Sequence, residues 1–160
     1  MPGPRHVPRR ALAERLATVS LLTSRWVERL LAAHDPPLTP AQYLALRGLA
    51  QAPLGVAELA RRSGVSGPAV SQLVSALELS GLIARTADPS DRRRAALSPT
   101  AAGLAVLESA ATELAGRLAA LLAGLPPPEA HALERLLARV EPALGGEPPP
   151  RRPPPPPRAR

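Results

Sequence analysis

The 160-residue chain has no cysteine, no lysine and no phenylalanine, and its aromatic content is 1%, a single Trp and a single Tyr. Without cysteine it has no disulfides, no thiolate metal ligands and no thiol redox chemistry. With so few aromatic side chains, the core has to be built from Leu, Val and Ala. Ala and Leu are the strongest helix formers and strand formers are scarce, so the fold is expected to be mostly α. No apolar run approaches the roughly 20 residues of a spanning helix. Glu14, Arg15 and Thr18 interrupt the apolar residues behind the basic N-terminus, so it does not read as a signal peptide. A soluble, cytoplasmic protein is expected. His6, His34 and His131 are scattered without ligand spacing, so no metal site is expected. A glycine-rich phosphate loop, a His-Glu-x-x-His pair and a nucleophile elbow are all missing, so neither an enzyme nor a cofactor is expected.

The net charge is +7, and most of it lies at the two ends. Arg5, Arg9 and Arg10 give +3 at the N-terminus, and Arg151, Arg152, Arg158 and Arg160 against Glu147 give +3 at the C-terminus. About +1 remains between them, so net charge alone is a poor argument for a nucleic-acid partner. The local run Arg92-Arg93-Arg94 is a better one. Arginine also suits two-point phosphate contacts better than lysine.

Residues 1–8 hold three prolines and are expected to be disordered. Leu12, Leu16, Val19, Leu22, Trp26 and Leu30 recur at helical spacing, which predicts a long helix from about Arg9 to His34, stopped by Asp35-Pro36-Pro37. Leu38-Thr39-Pro40-Ala41-Gln42 opens a second helix running to about Gln51. Thr39 and Gln42 form a capping box there, and Pro40 takes the first helical position. A third helix runs from Gly55 through Ser63 with Leu59 and Ala60 inward, and Gly64 is placed as its left-handed cap. Ser66 then caps a fourth helix with Pro68 in its first turn and a Val70, Leu73, Val74, Leu77 stripe, ended by Gly81.

Leu82 to Thr86 and Arg94 to Leu97 are predicted strands joined by the turn residues Asp88 to Asp91. Ser98-Pro99-Thr100 is expected to start a long helix with Leu104, Leu107, Ala111, Leu114, Leu118 and Leu121 or Leu122 along one stripe. A last helix, Glu129 to about Leu144, carries Leu133, Leu136, Leu137 and Val140. From Gly145 to Arg160 the composition is Gly, Pro and Arg, which favours a disordered, polyproline-type tail. The pattern as a whole is helix, turn, helix and basic wing, mostly α with a small β wing. The first and last helices are more apolar than so small a unit needs and read as a dimer module (9–35 and 104–144) around a winged-helix unit (38–103).

Four short pieces, in order and at the right spacing, resemble the MarR family (multiple antibiotic resistance regulator) of transcriptional regulators. They are Leu38-Thr39-Pro40-Ala41-Gln42, Glu58-Leu59-Ala60, Asp91-Arg92-Arg93 and Thr100-Ala101-Ala102-Gly103. The resemblance covers roughly residues 9–144. It implies a single domain of winged helix-turn-helix type acting as a homodimer on double-stranded DNA, by default as a repressor at a palindromic site. It also implies that Arg93 enters the minor groove and that Asp91 holds it. A carboxylate two residues away can orient a guanidinium, narrow minor grooves attract arginine, and Arg92 and Arg94 are left for phosphates.

The recognition helix maps onto 67–80 and departs from the family pattern, because it has no basic side chain. Gly67, Ser71, Gln72 and Ser75 are its candidates for DNA contact, with Gln72 suited to adenine. Arg61, Arg62 and Arg47 are candidate phosphate contacts. The family also binds small aromatic or phenolic acids between the dimer helices and the DNA unit, for which Trp26, Arg25, His34 and Tyr43 are the candidates here. The uncharged recognition helix leaves a second reading open, a winged-helix protein-interaction module with a degenerate DNA-reading face.

Overall fold

In the computed structural model, residues 8–63, 67–87 and 95–144 are described. Both termini, the Gly64 and Ser66 caps and the wing tip with Asp91, Arg92, Arg93 and Arg94 lie outside the described residues. The elements run α1 (Arg9–Ala33), α2 (Pro40–Gln51), α3 (Val56–Ser63), α4 (Gly67–Leu79), β1 (Ile83–Ala87), β2 (Ala95–Pro99), α5 (Ala101–Leu122) and α6 (Pro127–Leu144).

Helix α2 is the centre of the core. Its start is the expected capping box: the Gln42 N–H donates to Thr39 Oγ1 at 3.2 Å, and the Thr39 N–H donates to Gln42 Oε1 at 2.8 Å. Such a box satisfies two of the helix's orphan donors and is worth about 1 kcal/mol. With the start fixed, Ala45, Leu46 and Leu49 all turn inward. They meet Leu31 from α1, Leu59 from α3, Val70, Val74 and Leu77 from α4, and Ala110 and Leu114 from α5. Each fully buried Leu or Val contributes about 1.5–3 kcal/mol relative to exposure. Tyr43 packs against this cluster, whereas Leu44 faces outward.

The two strands pair antiparallel, with Ile83 opposite Pro99, Arg85 opposite Leu97 and Ala87 opposite Ala95. Leu54 adds a third, single-residue rung. The Leu97 N–H donates to Leu54 O at 2.8 Å, and the Leu54 N–H donates to Leu97 O at 3.2 Å.

Three boundaries differ from expectation. Ser98 and Pro99 finish β2 instead of opening the next helix, because their partners Ala84 and Ile83 are in register and a strand end tolerates proline's missing N–H. Leu82 stays outside β1, since its N–H is used on Leu77 O to close α4. Helix α6 begins at Pro127 rather than Glu129; a first-turn residue needs no N–H, and the Glu129 and Ala130 amides both reach Pro126 O.

The junction of α4, the wing and α5 is closely packed. Gly81 turns the chain with φ +67°, in the left-handed region that glycine enters without cost. Thr100 caps α5 by accepting from the Gly103 N–H at 3.0 Å; its hydroxyl donates to Gly81 O at 2.7 Å, and its N–H donates to Leu82 O at 3.0 Å. A Cβ placed on Gly103 would collide with Leu82 O, a backbone atom that cannot swing aside. We therefore expect Gly103→Ala to lower the unfolding free energy by about 1–3 kcal/mol. Gly48→Ala, inside α2 with nothing within 4 Å of the new methyl, should raise it by about 0.5–1 kcal/mol. Urea denaturation of the two variants checks the contrast.

Candidate nucleic-acid interface

Helix α4 is amphipathic in an unusual sense. Val70, Val74 and Leu77 are buried, and Leu73 is half-buried. The opposite face exposes Gly67, Pro68, Ser71, Gln72, Ser75 and Leu79, none of them charged. Ser71 donates its hydroxyl proton to Gly67 O at 3.1 Å, which leaves its lone pairs for an outside donor. Among the described residues Gln72 and Ser75 make no side-chain hydrogen bond, so the Gln72 amide is available for a two-point contact. An amide that donates and accepts side by side matches the N7 and N6 edge of adenine.

The neighbouring elements supply the charge. Arg61 on α3 is exposed and forms an ion pair with Glu58. Arg62 is on the same helix, with its side chain outside the described set. Arg47 is exposed on α2. Arg85, on β1 at the base of the wing, reaches back to Glu78 of α4, with Nε to Oε1 at 2.8 Å and Nη2 to Oε2 at 3.5 Å. Sequence reasoning missed this pair: the residues are seven apart, and a helix end, a glycine turn and a strand start intervene.

The four candidate effector residues differ in element and in burial. Tyr43 is half-buried against the core, Trp26 is half-buried and Arg25 exposed on α1, and His34 is buried. His34 bridges the α1–α2 connection to α5: Nδ1 lies 2.9 Å from Pro36 O and Nε2 lies 3.1 Å from Ser109 Oγ. A carbonyl only accepts, so Nδ1 carries the proton in that bond. The crevice beside His34, lined by Leu30, Leu31, Ala110, Glu113 and Leu114, is too narrow to hold a water molecule. Ala105, Glu108, Ser109, Thr112 and Glu113 share one open face along α5. Its two carboxylates oppose an acidic ligand. Among the described residues no three His, Asp or Glu side chains come together as a metal site, and no helix is long and apolar enough to cross a membrane.

This arrangement of a capped helix, an uncharged exposed helix face and an adjoining β hairpin has close counterparts. The family profile described as "MarR family" matches residues 37–94. The HTH-type transcriptional repressor Rv2887 of Mycobacterium tuberculosis (strain H37Rv) is 34% identical over 104 residues, 64% of this chain and 75% of the repressor. The chain belongs to the MarR family. As a MarR-family transcriptional regulator it is a DNA-binding protein and not an enzyme. Solved structures agree. The M. tuberculosis MarR family protein Rv2887, in complex with p-aminosalicylic acid, superposes with a TM-score of 0.66 at 29% identity, covering 84% of this chain and 99% of that one. Rv1404 from the same species gives 0.74 at 25% identity, covering 91% and 99%.

Folding and reading should be separable in this regulator. Urea denaturation is expected to show His34→Ala destabilised by about 1–3 kcal/mol, because Pro36 O and Ser109 Oγ lose their partner. The exposed replacements Gln72→Ala and Ser75→Ala should stay within about 0.5 kcal/mol of the parent.

Proposed function

We propose that the protein is a cytoplasmic, homodimeric repressor that places α4 in the major groove and the wing in the minor groove at each half of a palindromic operator. The observation that carries this reading is the outward face of α4, where Ser71, Gln72 and Ser75 stand exposed beside the hairpin and the opposite face holds the core. Gln72 reads a base edge, while Ser71, Ser75 and the Gly67 backbone meet phosphate or base edges. In this reading Arg93, oriented by Asp91, enters the minor groove, and Arg92, Arg94, Arg61 and Arg62 neutralise phosphates.

Dimerisation through 9–35 and 104–144, around the winged-helix unit 38–103, is supported by apolar side chains that one chain leaves uncovered. Leu12, Leu16, Val19 and Leu22 of α1 are 48–61% exposed, and Leu121, Leu122, Leu136 and Leu137 of α5 and α6 are 47–68% exposed. Contiguous apolar surface of this kind marks an interface, and a two-fold dimer presents two identical heads to a palindrome. A small aromatic or phenolic acid is the proposed effector, on the likeness to a family protein solved with p-aminosalicylic acid. Arg25, Trp26 and Tyr43 supply a cation and two rings for it once a second copy completes the cleft, and His34, with both ring nitrogens already bonded, can offer only its ring face. The ligand would shift the spacing of the two heads and so their affinity for DNA.

Gel shifts of the protein against its own upstream region test the reading. Removal of residues 147–160 should leave sequence preference intact, and Arg93→Ala should weaken binding and lower the salt slope by about 1. If the tail-deleted protein prefers no sequence, the repressor reading is wrong. By sedimentation the parent should run at twice the 16.7 kDa of one chain, and the double variant Leu12→Glu with Leu16→Glu as a monomer.

A further inference from the structure

Glu78 is the only ionisable residue of α4. It lies three residues beyond Ser75 and seven beyond Ser71, so helical spacing puts it on the flank of the face that carries both serines. Its side chain retains 30% of its exposure, and Arg85 covers it by the two-point pair already described. The Arg85 backbone is fixed in the hairpin, since its cross-strand partner Leu97 is 1% exposed and bonded on its other edge to Leu54, while the Arg85 side chain stays about half exposed. DNA carries one negative charge per roughly 1.7 Å of axis. A bare carboxylate on the flank of a helix entering a groove would face that charge at short range.

We propose that Arg85 is a positioning residue for DNA binding: it acts through Glu78, cancelling the one carboxylate of the recognition helix so that α4 meets DNA as an uncharged surface. This rests on the reading of α4 as the groove-entering helix. It also separates Arg85 from the wing-tip arginines, which contact DNA themselves. An exposed pair of this kind adds little to folding, so its consequence is felt in the complex.

The test is a double-mutant cycle in the full chain, measured as affinity for a duplex selected from a random pool. Arg85→Ala alone should weaken binding about five- to tenfold, as an unpaired carboxylate near phosphate would. Adding Glu78→Gln should restore affinity to within about twofold, and Glu78→Gln alone should change it by less than about threefold. The salt slope of the double variant should match the parent within about 0.3. Loss of a direct phosphate contact would remove about 0.9, so an unrestored affinity with a reduced slope would show that Arg85 touches DNA itself and overturn the proposal. A Glu78→Gln loss as large as that of Arg85→Ala would overturn it too, because the pair would then act as a brace. If the parent enriches no duplex at all, the regulator reading fails and this proposal with it; if the parent enriches one and either overturning pattern appears, only this proposal fails.

Discussion

The contact between Gly103 and the Leu82 carbonyl fixes where everything else can go. At the start of α5 the helix backbone presses on the residue that ends α4's turn, at a distance that admits no side chain. Thr100 completes the joint with three bonds, to the Gly81 carbonyl, the Leu82 carbonyl and the Gly103 amide. None of these partners is free to slide. The end of α4, the start of the wing and the first turn of α5 therefore form one rigid corner. A reading helix held this way takes its direction from α5, and α5 also carries Leu121 and Leu122 of the proposed dimer surface.

That geometry would link the proposed dimer to the proposed reading helix. In the proposed dimer, a change in how two α5 helices meet would reach α4 through this hydrogen-bonded corner. In the proposed reading, a fixed backbone also suits a helix with so few polar side chains. Gln72 has only two oriented bonds to offer, and an oriented bond is useful only from a fixed backbone. Charge is supplied around the helix, on α3 and along the wing, and the helix itself is kept neutral by Arg85. His34 adds a second tie, from the end of α1 to Ser109, halfway along α5.

Much of this was legible in the sequence wherever the signal was local. Thr39 and Gln42 announced their capping box three residues apart, the Val70 to Leu77 stripe gave the buried face of α4, and Gly81 marked its end. Local signals also misled. Ser98-Pro99-Thr100 has the composition of a helix start, yet the first two belong to a strand, because register with Ala84 and Ile83 is decided across the hairpin. Interactions between distant residues left little trace. His34 and Ser109 are 75 positions apart, and the Leu54 rung depends on a strand more than 40 residues later. Gly103 did leave a clue: a glycine in the first turn of an Ala-rich helix costs helix propensity, and close backbone approach is the usual reason to retain one. Of the candidate site, the face of α4 could be read from periodicity. The Glu78–Arg85 pair could not, and the four effector candidates were chosen by residue type, which does not determine whether they meet.

Amide hydrogen exchange at the corner tests the central claim most directly. If α4, the wing and α5 are joined as one unit, the Leu82, Thr100 and Gly103 amides should exchange only by global unfolding, with the same free energy as the amides of Leu46 and Val74. Exchange at the three corner amides that is orders of magnitude faster than in that core, by local opening, would contradict it.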